Sequence, residues 1–167
     1  REYDKFGRPH WEDYFLALAF CAARRSIDPA TKHGCIITNE DCRILSIGYN
    51  GPPKGADDNK VPLTRPEKYP FMAHAEANAI DNSNEPLEGG IAFVTGRPCS
   101  ACLLRLIQNG IQAIYYGPVT FSNEDAENAI SDKILAAMKS DRRPKMVRVQ
   151  EGTFLQVISD AGEAARE

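Results

Sequence analysis

The sequence predicts a single α/β domain, an α-β-α sandwich in which a mixed central sheet of about five strands is flanked by helices. Three observations predict it. The chain has 167 residues, 43% hydrophobic and 26% charged, a length that favours one domain and an ordinary globular composition. After an opening helix and hairpin, short strand-like segments alternate with helical ones, the pattern of crossover units. No repeat or low-complexity tract interrupts that alternation.

Each element has a local cause. Trp11, Tyr14, Phe15, Leu18, Ala19 and Ala22 recur at helical spacing and predict a helix over 11–22. Asp28-Pro29 stops it, because the residue before a proline is pushed out of the α region. Segments 35–38 and 43–49 read as strands joined by the polar turn 39–42. The loop over 50–70 holds five prolines and two glycines, and a loop of that length is uncommon unless it is functional. A helix follows over 73–81 and a strand over 91–95, bounded by Gly89-Gly90 and Gly96. The next helix, 98–108, has Pro98 in its first turn and Gly110 past its end. A strand over 113–116, a helix over 123–139 and a strand over 146–149 complete the pattern, and the small, polar tail 159–167 is expected to fray.

Charge and cysteine content narrow the function. Twenty Lys+Arg against 23 Asp+Glu give a net charge of −3, which argues against life on nucleic-acid backbone or anionic membrane. No apolar run approaches the roughly 18 residues needed to cross a bilayer, and the first residues carry no signal-peptide pattern. Five cysteines are an odd number, too few and too scattered for a disulfide framework. The expectation is a reduced, cytoplasmic domain whose paired cysteines bind metal.

Two motifs supply the rest of that site: His74-Ala75-Glu76 and Pro98-Cys99-Ser100-Ala101-Cys102. A catalytic zinc takes three protein ligands and keeps a fourth position open. Cys99 and Cys102, at i and i+3 near a helix start, present both sulfurs on one face, and the positive helix end favours their thiolates. His74 supplies the third ligand if it lies at or before the first turn of its helix. Glu76 is then a spare carboxylate suited to acid–base work. Joint chance occurrence of the two motifs is on the order of 0.002. A redox CxxC explains neither His74 nor Glu76.

The pair of motifs matches the H-x-E…P-C-x-x-C signature of zinc nucleobase and nucleotide deaminases. Ile47-Gly48-Tyr49-Asn50-Gly51-Pro52-Pro53-Lys54-Gly55-Ala56-Asp57-Asp58 resembles the G-Y-N-G-x-P-x-G-x-x-D run of deoxycytidylate (dCMP) deaminases. Arg25-Ser26-Ile27-Asp28-Pro29 and Thr31-Lys32-His33-Gly34 resemble the upstream R-S-x-D-P-x-T-K-x-G stretch of that family. Pro52 and His33 depart from it, standing where a bulky apolar residue and valine are usual. The resemblance runs from about Trp11 to Tyr116 and implies a cytidine-deaminase-like fold and hydrolytic deamination of dCMP to dUMP and ammonia, supplying dUMP for thymidylate synthesis. It implies Zn²⁺ on His74, Cys99 and Cys102, with Glu76 as the catalytic proton carrier. It implies substrate contacts at the Asn50 side chain, the Ala75 amide and the backbone near Ser100. It also implies a homohexamer activated by dCTP and inhibited by dTTP, each with Mg²⁺, at a regulatory site that includes Gly48, Tyr49, Gly51 and Lys54. Free dCTP, cytidine or tRNA adenosine as substrate, and a non-catalytic zinc or nucleotide module, are the alternatives. The acidic balance opposes tRNA, and an intact Glu76 opposes an idle scaffold.

A monophosphate needs cationic or amide partners, and Lys54, Arg65, Lys68, Arg97, Arg24, Arg25 and Lys32 are the candidates. The remaining features have ordinary readings. Cys21, Cys35 and Cys42 are core or surface residues, His10 and His33 are surface or capping groups, and the run 142–145 is a solvated turn. Tyr115 and Tyr116 are strand residues, either of which could also line a pocket.

Overall fold

The computed structural model describes residues 3–150 and 152–164. Its helices are α1 (Trp11–Ala23), α2 (Ala75–Asn82), α3 (Ser100–Gln108), α4 (Glu124–Ala137) and α5 (Thr153–Ala164). Its strands are β1 (Gly34–Thr38), β2 (Ile44–Tyr49), β3 (Ile91–Val94), β4 (Ala113–Tyr116) and β5 (Lys145–Arg148). They form one five-stranded sheet in the order β2-β1-β3-β4-β5. β1 runs antiparallel to β2 and β3, whereas β3, β4 and β5 are parallel. The expected mixed sheet of five strands is therefore present.

Burial on both faces explains the apolar centre of β1, Cys35-Ile36-Ile37: all five residues of the strand, Thr38 included, are buried, as in a strand covered by helices on each side. Cys35 and Ile37 point into one core with Ala75 and Ala79 of α2, Leu103 and Leu106 of α3, and Ala92 and Val94 of β3. Ile36 and Phe93 point the other way, into a core with Phe15, Leu16 and Ala19 of α1 and Phe154 of α5. On that second face Phe93 stacks between Phe15 and Tyr115, with ring centroids 5.0 and 5.2 Å away. Tyr115 thus belongs to the core opposite α2.

Two glycines set how closely the helices sit. A Cβ on Gly34 would lie 1.9 Å from the Ala19 carbonyl oxygen, and one on Gly48 would lie 2.3 Å from that of Ala75. α1 and α2 therefore rest directly on the backbone of β1 and β2. Asn78 and Asn82 stitch α2 to the edge strand by donating to the carbonyls of Tyr49 (2.7 Å) and Ile47 (3.1 Å), and the Ser46 hydroxyl donates to that of Ala79.

α5 is the element the sequence expectation lacked. Segment 159–164, expected to fray, is helical through Ala164, while 165–167 lie outside the described residues. Phe154 is fully buried and stacks on Phe20 at 5.1 Å. Tyr3 ties the other end of α5 by donating to Asp160 (2.6 Å). The long loop holds only two short 3₁₀ turns, Asp58–Lys60 and Tyr69–Phe71.

Candidate metal centre and active site

The site lies at one edge of the sheet, where the ends of four strands meet. The chain leaves β2 at Tyr49, β3 at Val94 and β4 at Tyr116, and enters β1 at Gly34. Pairing of Gly34 with Tyr49, Cys35 with Val94, and Val94 with Tyr116 places all four on the same side. A crevice beyond the carboxyl ends of parallel strands is the usual ligand site of an open α/β sheet. Here a cavity of 620 Å³ occupies it.

Helix starts deliver the three metal-ligand candidates. His74 is the N-cap of α2, with extended φ −77° and ψ 155°. Cys99 is the N-cap of α3, and Cys102 is buried in its first turn. His74 Nδ1 lies 3.3 Å from Cys102 Sγ and 3.5 Å from Cys99 Sγ, and the three donor atoms all lie within 4.8 Å of one another. Tetrahedral zinc, with Zn–S of about 2.3 Å and Zn–N of about 2.0–2.1 Å, requires N···S separations of about 3.5 Å. The donors are thus already at zinc spacing, and two thiolates with one neutral imidazole match the ligand chemistry of a catalytic site with one open position. His74 stands ahead of the first turn, as the spacing of His74 and Glu76 demanded.

The thiols and Glu76 are electrostatically linked. Cys99 is pulled down to about 4, because the Cys102 thiol donates to its sulfur and His74 lies beside it, against the cost of burial. Cys102 is pushed well up, because its proton is held by Cys99 and burial beside Glu76 penalises a second negative charge. A metal ion held by His74, Cys99 and Cys102 would take the place of that shared proton. Glu76 is buried in the first turn of α2. Burial pushes its carboxyl above the ordinary carboxylate range, although its own backbone amide donates to it, and the nearby Cys99 thiolate adds to the rise.

The other expected substrate residues gather here with different local roles. Asn50 is buried and its amide clamps the entry to β1, with Oδ1 accepting from the His33 amide (2.8 Å) and Nδ2 donating to the Thr31 carbonyl (3.0 Å). Ala75 is the first residue of α2, so its amide precedes the intrahelical ladder. Ser100 opens α3, and its amide donates to Glu127 Oε2 (2.7 Å), which holds the Glu127 carboxyl below its usual range. All three line the cavity. Gly48 does not; it is buried beneath α2. Gly51 forms an isolated bridge with Ala73, through bonds of 3.1 and 2.8 Å, that closes the base of the long loop and sets His74 beside Asn50. Lys54 is exposed on that loop, away from the cavity, and Tyr49 is half-buried at the end of β2.

His33 corrects an expectation: it is a half-buried cavity residue, not a surface group. Its Nδ1 lies 3.2 Å from Thr95 Oγ1, and burial, reinforced by neighbouring His74, lowers it to about 4, so it is a neutral imidazole. Sequence reasoning also missed the pair beneath the cavity, where Lys68 Nζ sits 2.9 and 2.8 Å from the two oxygens of buried Asp28. Asp28 Oδ1 accepts from the amides of Ala30 and Thr31 as well. Burial raises the Asp28 carboxyl, but these partners outweigh it and hold the group below the usual range.

Residues 9–118 match the family described as the cytidine and deoxycytidylate deaminase zinc-binding region. With a match over most of the chain and the His/Cys/Cys centre in place, the chain belongs to that family. Within it, the chain is 36% identical over 135 residues to deoxycytidylate deaminase of Homo sapiens, covering 77% of this chain and 75% of that one. It is 39% identical over 119 residues to a probable deoxycytidylate deaminase of Drosophila melanogaster, covering 64% and 59% respectively. In fold it is similar to dCMP deaminase from the cyanophage S-TIM5, solved with dCMP and dUMP, with a TM-score of 0.69, 23% identity, and coverage of 85% of this chain and 98% of that one.

Proposed function

We propose that this chain is one catalytic domain that hydrolyses dCMP to dUMP and ammonia. The observation that carries the proposal is the His74, Cys99 and Cys102 donor set at zinc spacing, with buried Glu76 beside it in one nucleotide-sized cavity. The curated relatives above support dCMP as the substrate.

Zinc held by these three residues supplies a Lewis-acidic open position that activates water near neutral pH. The chain's own residues do the rest. The N-terminal amide of α2 at Ala75 meets the pyrimidine O2, Asn50 meets the sugar hydroxyl, and the backbone near Ser100 accepts from the exocyclic amine. Glu76 takes a proton from the attacking water and places it on N3. It then carries the second proton to the departing amine, so water oxygen replaces nitrogen at C4 and ammonia leaves. Burial that holds Glu76 above the ordinary carboxylate range suits both halves of this cycle.

The family resemblance supports a cytoplasmic homohexamer in which dCTP activates and dTTP inhibits, each with Mg²⁺. Because Gly48 lies under α2 and Gly51 is buried as well, an effector would reach this segment through Tyr49 and Lys54. The test is ammonia release by the zinc-loaded chain from dCMP, dCTP, deoxycytidine, cytidine and adenosine, with and without Mg²⁺ and each effector. Deamination of dCMP well ahead of the others is the expected result; preference for adenosine or for no substrate would overturn it.

A further inference from the structure

We propose that Arg65 pairs with the substrate phosphate and so selects a nucleoside 5′-monophosphate over the bare nucleoside, an inference that rests on the deaminase reading. Seven cations are available by sequence, and geometry removes six. Arg24, Arg25, Lys32 and Lys54 do not line the cavity, and Lys32 is committed to the Ser26 carbonyl. Lys68 lines it but is 3% exposed, with both oxygens of Asp28 on its ammonium. Arg97 lines it, yet its side chain is 15% exposed, Nη2 holds Asp132 at 2.5 Å, and its unpartnered Nε is buried out of reach of a ligand in the cavity. Arg65 lines the cavity, is exposed, and forms no ion pair among the described residues.

Backbone amides offer no better seat. A helix N-terminus is a ready anion site, but the Glu127 carboxylate already occupies that of α3 through Ser100. The α2 N-terminus adjoins His74 and Glu76, where the pyrimidine ring must lie, and the α4 N-terminus, which also borders the cavity, carries Glu124, Asp125 and Glu127 in its first turn. The phosphate is left to the loop side, which Arg65 faces. The loop is closed at its base by the Gly51–Ala73 bridge, and next to Arg65 the Lys68 amide donates to the Thr64 carbonyl (3.0 Å) while its ammonium is held by Asp28. The Arg65 guanidinium remains free to make the bidentate contact that phosphate favours.

The experiment compares the zinc-loaded wild type with Arg65→Gln, Arg65→Lys and the remote control Arg142→Gln. Steady-state kinetics on dCMP and deoxycytidine are joined by calorimetric binding of dUMP and of inorganic phosphate. In Arg65→Gln, KM for dCMP and Kd for dUMP should rise about tenfold or more, with kcat changed by no more than about threefold. Turnover of deoxycytidine should not change, Arg65→Lys should fall between, and Arg142→Gln should match wild type. Equal losses on both substrates, or an unchanged KM and dUMP affinity, would overturn the assignment. Binding does not depend on turnover: a wild type that releases no ammonia from dCMP refutes the activity, while dUMP and phosphate still decide on Arg65.

Discussion

At the scale of single residues, Glu76 does two jobs that pull in opposite directions. It must give up a proton readily enough to load again from water, yet hold one long enough to deliver it to a ring nitrogen. Burial in the first turn of α2 raises its carboxyl toward that compromise. Because Glu76 is not among the three donors that gather at metal spacing, removing its charge should leave the metal in place. Glu76→Gln is therefore expected to keep about one zinc per chain while deamination falls by roughly 10²–10⁴-fold or more. Metal analysis alongside an ammonia assay checks both halves; loss of zinc would make Glu76 a ligand, and full activity would remove it from the chemistry. This chemistry was legible because His-x-Glu and Pro-Cys-x-x-Cys are local spacings, and local spacing decides which atoms a helix start presents. The Asp28–Lys68 pair was not legible. Its partners are 40 residues apart, and nothing in either neighbourhood marks them as bound to each other. The same holds for Glu127, whose carboxylate reaches Ser100 from another helix.

At the scale of elements, the metal centre depends on how low α2 sits. His74 and Glu76 are carried at its first turn, and the helix rests on β2 where Gly48 lacks a side chain. A methyl group there would meet backbone atoms, Ala75 O at 2.3 Å and Ala79 N at 2.4 Å, which cannot rotate away. Gly48→Ala must therefore lift α2 from the sheet. The expected cost is about 1–3 kcal/mol in chemical denaturation, accompanied by weaker zinc retention, because His74 moves relative to Cys99 and Cys102. A variant with wild-type stability and zinc affinity would show that α2 tolerates the shift. Glycine in the Gly48-Tyr49 pair is thus explained by helix-on-strand contact, whatever else the segment binds. α5 shows the converse failure of reading. Phe154, Val157, Ile158 and Ala161 stand at helical spacing, a signal strong enough to predict a helix. The small and polar residues that follow obscured it. Phe154 settles the matter by filling the core between α1 and the sheet.

At the scale of the whole molecule, four strand ends and two helix starts converge on one cavity, so groups from distant parts of the chain titrate together. The two-faced sheet was legible from alternating elements, but this convergence depends on strand order, which crossover patterns alone do not specify. His33 is the clearest consequence. It enters β1 beside Asn50, and Thr95, His74, Asp28 and Cys99 surround it. Burial and His74 hold it near 4, against 6.5 for an ordinary histidine. Unfolded chains therefore bind a proton at this position between those values and folded chains do not. The associated stability is fully present above about pH 6.5 and is lost as pH falls toward 4. Zinc release in acid acts in the same direction, so the wild-type profile alone cannot isolate His33. His33→Gln separates the two, because it keeps a polar partner for Thr95 and removes the titration. As pH drops from 7 to 4.5, the denaturation midpoint of zinc-loaded wild type should fall further than that of His33→Gln, whatever offset separates them at neutral pH. Parallel loss in both chains would assign the acid sensitivity to the metal ligands instead.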